Sequence, residues 1–184
     1  MKALLTLALA MLTLAPALAG GPTQPLTVTP QADEKVTWYT LEQAQELAKK
    51  KPKKIFIDVY TDWCGWCKVM DKKTFSQPGI AKYLNEHYYP VKLNAEQTAN
   101  IIFRGQVYGF NQARGTHDVV FALISGQFGY PTTVYLDEKL NVLQHISSYL
   151  DPKQFEPIIR FYGENAYKKT PWEQYQKTFK SGLE

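Results

Sequence analysis

Cysteine is scarce in this chain: its 184 residues include two. A framework of several disulfides is therefore excluded. Histidine is also sparse, with His87, His117 and His145 alone and no two at a paired spacing. Two thiols without such partners lack the further ligands zinc needs, so no metal site is expected. No segment after the first residues is apolar enough to span a membrane, which takes ~20 residues. The excess of positive charge is small, 21 Lys+Arg against 17 Asp+Glu. That balance gives no ground for nucleic acid or a membrane surface as partner. The glycines form no phosphate-binding motif, and there is no serine-hydrolase signature, internal repeat or second domain.

The first residues have a different character. Lys2 supplies a charge, Ala3 to Leu14 are nearly all apolar, and Ala17-Leu18-Ala19 is a small-residue cleavage pattern. Residues 1–19 read as a secretory signal that is removed, so the mature protein is expected outside the cytoplasm without stable membrane insertion. No cysteine follows the apolar run, which argues against a lipid anchor. Residues 20–34, rich in Pro, Thr, Gln and Gly, read as a flexible lead-in. Residues 35–184 suffice for one domain with its own core.

Within that domain, apolar positions from Leu41 to Lys51 recur at helical spacing, with Thr40 as cap. The run Lys49-Lys50-Lys51-Pro52-Lys53-Lys54 is read as a helix end, lysines complementing the dipole and Pro52 stopping the helix. Ile55 to Tyr60 suits a strand buried on both faces. Residues 64–75 form a helix candidate that Pro78-Gly79 interrupts or bends, and Ile80 to His87 continues as helix. Tyr88 to Leu93 reads as a strand. Residues 94–129 mix polar residues, glycines and aromatics, with Val119 to Ile124 as their best helical stretch. Thr132 to Leu136 and Val142 to Ser147 make a hairpin across Asp137-Glu138-Lys139. Phe155 to Tyr162 is a helix opened by Asp151 and Pro152. A last helix, Trp172 to Phe179, carries Trp172, Tyr175 and Phe179 on a face expected to pack on the core. Alternating units followed by a hairpin imply an α/β fold, a mixed sheet with helices on both sides.

The two cysteines lie in Trp63-Cys64-Gly65-Trp66-Cys67-Lys68, between a strand-like and a helix-like run. A bridge over so short a loop constrains the unfolded chain little, so a structural staple is a poor account of it. A redox pair is a better one. Cys64 would begin a helix, where unpaired N–H groups and the dipole favour a thiolate, and Cys67 would sit one turn in, less exposed. Cys64 would then attack or be attacked, and Cys67 would resolve the mixed disulfide. Gly65 leaves the turn between the sulfurs unhindered. Trp66 is expected to be partly exposed where a partner docks; Trp63 borders the site or simply packs beside it. Asp58 is an acid in an apolar strand. Buried, it would have a raised pKa and could accept the Cys67 proton; on an edge strand it would face water. Asp62 reads as an exposed loop charge and the histidines as surface or loop residues. On residue type alone, Tyr130-Pro131 is an ordinary trans peptide opening a strand.

Three local matches carry a family resemblance: Trp63 to Lys68, the strand residue Asp58, and Gly129-Tyr130-Pro131-Thr132. On these the chain resembles the thioredoxin superfamily. With Asp58 to Cys64 and Lys73-Thr74-Phe75 added, it is similar to the C-terminal periplasmic domain of DsbD and related exported proteins. The resemblance covers about Trp38 to Tyr162. It implies a thioredoxin fold with an insert (residues 94–129) before the hairpin and an extra C-terminal helix. It implies Cys64 as nucleophile, Cys67 as resolving thiol, Asp58 as proton-transfer acid, and Pro131 as a cis-proline facing the disulfide. It implies further that the Tyr130 backbone pairs with an extended partner, with Trp63, Gly65 and Trp66 beside it.

These readings lead to an exported, periplasmic thiol-disulfide oxidoreductase acting on protein thiols and disulfides. It would draw on an unidentified redox partner and need no cofactor beyond the Cys64-Cys67 pair. The DsbD-like surroundings favour the reducing or exchanging direction. The alternative is a binding or chaperone module with an idle disulfide, using the aromatics Phe103, Tyr108, Phe110, Phe121 and Phe128 of the insert. A local core under a long loop would explain those aromatics equally.

Overall fold

The main sheet is organised around β1 (Lys54–Tyr60), whose residues Lys54 to Val59 are all buried. β1 pairs in parallel with β2 (Tyr88–Asn94) on one side and antiparallel with β7 (Thr132–Leu136) on the other. β8 (Val142–Ser147) completes the order β2-β1-β7-β8. The computed structural model describes residues 34–125 and 129–183, which fall in one compact unit. The signal expected at 1–19 and all of the lead-in but Glu34 lie outside the described residues. Among the described residues, no helix is long and apolar enough to cross a membrane.

Strand alternation sorts the core into two layers. Ile55, Ile57 and Val59 of β1, with Val91, Leu93, Val134 and Leu136, pack under α1 (Leu41–Lys50) and the insert. Phe56 and Tyr135 enter the opposite layer with Ile80 and Leu84 of α3 (Pro78–His87) and Phe155 and Ile159 of α5 (Pro152–Gly163). Asp58 lies on the Phe56 side by the same alternation. β1 is therefore a central strand covered on both faces, and the reading of Asp58 as a solvated edge residue is corrected.

The helix ends follow their capping chemistry. Thr40 and Asp151 each close a reciprocal capping box, with Gln43 and Gln154. Lys49 and Lys50 occupy the last turn of α1, before Pro52. Pro78 does not interrupt a helix: it is the first residue of α3, where its missing N–H costs nothing. α2 (Gly65–Met70) runs on as a π-helical segment, Asp71–Phe75, and the helix ends there, with Ser76 and Gln77 leading into α3.

The insert is more ordered than its composition suggests. It forms two hairpins, β3 (Ile101–Phe103) with β4 (Gln106–Tyr108) and β5 (Phe110–Asn111) with β6 (Thr116–His117), then α4 (Asp118–Ile124). Phe103 is buried and Tyr108 packs on the first layer, while Phe110 and Phe121 are half-buried. The buried aromatics of the insert thus join the core of the main sheet rather than forming a separate local one; Phe128 lies outside the described residues. His117 corrects the expectation for the histidines. It is fully buried and caps α4, its Nδ1 accepting the Val119 N–H at 3.3 Å and its Nε2 lying 3.1 Å from the Ala99 carbonyl. His87 is exposed and His145 half-buried.

α6 (Trp172–Thr178) buries no residue completely. Its aromatics pile on α5 instead: Phe161 meets Trp172 and Tyr175 at centroid distances of 5.2 and 5.0 Å.

Candidate active site

Cys64 is the N-cap of α2, with extended backbone, and its Sγ accepts the Cys67 N–H at 3.0 Å. The helix start therefore aims a donor at the first sulfur, as the spacing predicts. Cys64 and Cys67 are joined in a disulfide, their Cα atoms 5.3 Å apart. Both are buried, exposing 4% and 2%, whereas the flanking Trp63 and Trp66 expose 67% and 61%.

Trp63 is largely exposed and packs beside the site. Its Nε1 donates to Glu96 at 2.8 Å, and its ring meets Tyr130 edge-on, 5.9 Å between centroids. Trp66 lies against Tyr149, 5.2 Å between centroids. The role given to Gly65 also changes. A Cβ there would meet nothing within 4 Å, so the turn does not need glycine to relieve crowding. The Tyr130-Pro131 peptide is cis, not the trans form that residue type alone suggested. A cavity of about 340 Å³ opens between Trp66, Tyr130, Pro131, Ser148 and Tyr149. A larger one of about 700 Å³, which includes Tyr83, His87, Arg160 and Glu164 in its lining, holds no residue of the cysteine segment.

Beneath the sheet surface, Asp58 exposes 1%. Its Oδ2 accepts from the Lys92 ammonium at 2.6 Å, and its Oδ1 has no hydrogen-bond partner among the described residues. Burial pushes its pKa from the ordinary 3.8 to about 6, against the opposing pull of Lys92. Lys92 also bonds Asp71, at the start of the π-helical segment, and lies over the rings of Trp38, Tyr60 and Phe75. Burial disfavours the Lys92 ammonium, but the two carboxylates outweigh it and hold its pKa above the usual lysine value. Asp62 is exposed and accepts from Asn94 at 3.3 Å.

The structure thus brings Cys64, Cys67, Trp63, Gly65, Trp66, Tyr130 and Pro131 to one surface and places Asp58 in the layer below it. Sequence reasoning missed four neighbours: Lys92, Asp71, Glu96 and Tyr149. Lys92 left a signal, as a lone cation in an apolar strand beside another strand with a lone acid; parallel register pairs the two. Asp71 stands one helical turn beyond Cys67. Tyr149 and Glu96 left none, because each reaches the site from a loop distant in sequence.

The arrangement is a cysteine pair closed as a disulfide at a helix start, with a titratable acid buried in the central strand that precedes it. Comparison with known proteins agrees. A stretch of 118 residues is 33% identical to the thiol:disulfide interchange protein DsbD of Citrobacter koseri, covering 63% of this chain and 18% of that protein. The chain spans only 16–18% of the length of the curated relatives it matches. A solved structure titled DsbH Oxidoreductase superposes with a TM-score of 0.55 at 17% identity, over 79% of this chain and 95% of that one. A thioredoxin from Thermus thermophilus does so with a TM-score of 0.53 at 17% identity, over 68% and 85%. These likenesses show the thioredoxin fold. The model of the family Thioredox_DsbH, described as protein of unknown function, DUF255, matches residues 24–181, and the chain belongs to that family.

Proposed function

We propose that the protein is an exported thiol-disulfide oxidoreductase that reduces or exchanges disulfides in partner proteins. The observation that carries this reading is the Cys64-Cys67 disulfide at the start of α2, with an amide already directed at the Cys64 sulfur. The same donor stabilises a Cys64 thiolate once the bond is opened.

The reaction begins with the dithiol. The Cys64 thiolate attacks one sulfur of a partner disulfide; that bond breaks, and the departing sulfur takes a proton from solvent. Cys64 is then joined to the partner. The Asp58 carboxylate accepts the Cys67 proton, directly or through water, and the Cys67 thiolate attacks the Cys64 sulfur. The Cys64-Cys67 bond forms, and the second partner sulfur leaves with the proton returned by Asp58. Two electrons and two protons pass from the dithiol to the partner. A dithiol protein must supply them again, and no other cofactor is needed. A pKa near 6 leaves Asp58 mostly ionised at neutral pH, able to act as a base.

The signal-like residues 1–19 support export, and the periplasm is the compartment the DsbD likeness favours. Cys67→Ala tests the reading. Without the resolving thiol, Cys64 should remain bonded to its partners as mixed disulfides, identifiable by mass spectrometry after non-reducing separation. If Cys64 forms no adducts in cells, a protein disulfide is not its substrate; if Cys64→Ser retains exchange activity, Cys64 is not the attacking thiol and the mechanism falls.

A further inference from the structure

Among the described residues, five buried side-chain atoms make no hydrogen bond. Three of them lie on one face of the two central strands: Asp58 Oδ1, Thr133 Oγ1 and the Tyr135 hydroxyl. Asp58 of β1 stands directly opposite Thr133 of β7 in the antiparallel register, just as it stands opposite Lys92 of β2 in the parallel one. Residues opposed in this way carry neighbouring side chains on the same face. Tyr135, two residues along β7, shares that face. Thr133 and Tyr135 are both 0% exposed, so neither hydroxyl has bulk solvent to bond. The two hydroxyls also feel one another: burial raises the Tyr135 pKa, and Thr133 pulls it the other way.

Enclosed polar atoms find partners, in the protein or in enclosed water, because leaving them bare is costly. Valine has the outline of threonine and would fill the Thr133 position with no polar atom to satisfy. The hydroxyl there therefore needs a use, and Asp58 supplies one. The Lys92 ammonium holds Asp58 Oδ2 at 2.6 Å and can only donate. A proton arriving at the carboxylate goes to Oδ1, the oxygen that Lys92 does not hold. A hydroxyl both donates and accepts, so it can serve that oxygen whether bare or protonated.

We infer that Thr133 is a positioning residue for the thiol-disulfide reaction, its hydroxyl bonding Asp58 Oδ1 directly or through one enclosed water. The inference rests on the oxidoreductase reading and assigns a further residue to it. With Asp58 ionised, Tyr135 donates to Thr133 and Thr133 donates toward Oδ1. When Oδ1 takes the Cys67 proton, both hydroxyls turn and Thr133 accepts from the new O–H. The Cys67 S–H bond breaks, the Asp58 O–H bond forms, and each hydroxyl keeps its own proton.

A bond to a charged oxygen is stronger than one to a neutral oxygen, so losing the Thr133 hydroxyl should raise the proton affinity of Asp58. The other titratable groups facing Asp58 are Lys92 of β2, Asp71 of the π-helical segment, Tyr60 of β1 and Tyr135 of β7, with Tyr162 of α5 stacked on Tyr135. Thr133→Val alters none of them. In the disulfide form the cysteines of α2 do not titrate.

The first arm of the test follows the Asp58 carboxyl carbon by NMR in the oxidised protein from about pH 4 to pH 9, with Asp58→Asn to identify the signal. The midpoint should rise by about 0.5–1 unit in Thr133→Val and stay at the unmodified value in Thr133→Ser, which keeps the hydroxyl. An unchanged midpoint in Thr133→Val, or the same rise in both variants, would overturn the inference. The second arm mixes the reduced protein with a disulfide-linked peptide dimer. Release of the first peptide thiol reports attack by Cys64, and release of the second reports closure by Cys67. Relative to the first release, the second should be about threefold slower in Thr133→Val near pH 6 and equal to the unmodified protein by about pH 8.5. A loss of the same size at every pH would mark a purely structural residue and overturn the assignment, as would a shifted midpoint with no change in the second release. If the unmodified dithiol releases no peptide thiol at all, the oxidoreductase reading falls and the part of Thr133 in it, whereas the NMR midpoints decide the hydrogen bond separately.

Discussion

Asp58 is an ionisable side chain buried in the central strand, and its effect on stability has a definite sign. Its folded-state pKa, about 6, lies above the ordinary 3.8, because burial penalises the carboxylate more than Lys92 rewards it. An acid shifted upward stabilises the fold when protonated. That contribution is complete below the unfolded pKa and is lost as pH rises through the folded one. The shift corresponds to about 3 kcal/mol. The disulfide form should therefore lose about 2 kcal/mol between about pH 4 and pH 7.5 through this residue alone. Asp58→Asn should remove that loss, as urea unfolding of the oxidised protein at both pH values will show. An equally steep decline in the variant would place the titration elsewhere. The cost of an ionised Asp58 is consistent with a residue retained for proton transfer rather than for stability.

At the scale of elements, the helix from Gly65 to Phe75 shows how local chemistry and packing share control. Its beginning was legible in the sequence: the cysteine spacing after an apolar strand marks a helix start. Its conversion to a π-helical segment was not, because the wider turn depends on where Asp71 and Thr74 find partners. Asp71 meets Lys92 of β2, and buried Thr74 meets the Leu150 carbonyl. Thr74→Val keeps the shape and removes the donor, leaving a buried carbonyl unpaired. The expected cost is about 1–3 kcal/mol, read as a lower denaturant midpoint with an unchanged slope. A neutral result would mean that water replaces the bond. The hairpin β3–β4 illustrates a legible signal passed over. Arg104 and Gly105, with φ of 54° and 80°, form a two-residue turn of the kind whose backbone twist suits a hairpin. The flanking strands are three residues each, too short for alternation to register against the surrounding polar residues.

For the molecule as a whole, the insert is a structural part of the domain. Ile101 and Phe103 from its first hairpin and Val119, Val120, Leu123 and Ile124 from α4 join the layer built on Ile57 and Val59. Its second hairpin is tied to the site: the Ala95 carbonyl accepts from the His117 N–H and the Thr116 hydroxyl, and the Thr116 hydroxyl lies 3.4 Å from that of Tyr130. Phe103→Ala should therefore destabilise the whole domain, by about 3–5 kcal/mol, with a single unfolding transition at lower temperature. A separate early transition would instead make the insert an independent subdomain. The C-terminal end is fastened in a comparable way. Buried Glu156 accepts from Arg160 at 2.9 Å, from the Ser181 hydroxyl at 2.5 Å and from the Gly182 N–H at 2.8 Å, while Leu183 packs on the second layer.

The sequence by itself determined the elements whose cause is local: the capped helices, the apolar strands, the hairpin at Asp137, and a cysteine pair whose spacing places both sulfurs on one helical turn. Only the tertiary structure decided that Asp58 is enclosed and set against Lys92, that His117 is buried, and that Tyr149 meets Trp66 while Glu96 holds Trp63. The physical reason is distance along the chain. Periodicity and capping act over a few residues, whereas the surroundings of a buried charge or a pocket wall are assembled from strands and loops far apart in sequence, and exist only once the sheet has brought them together.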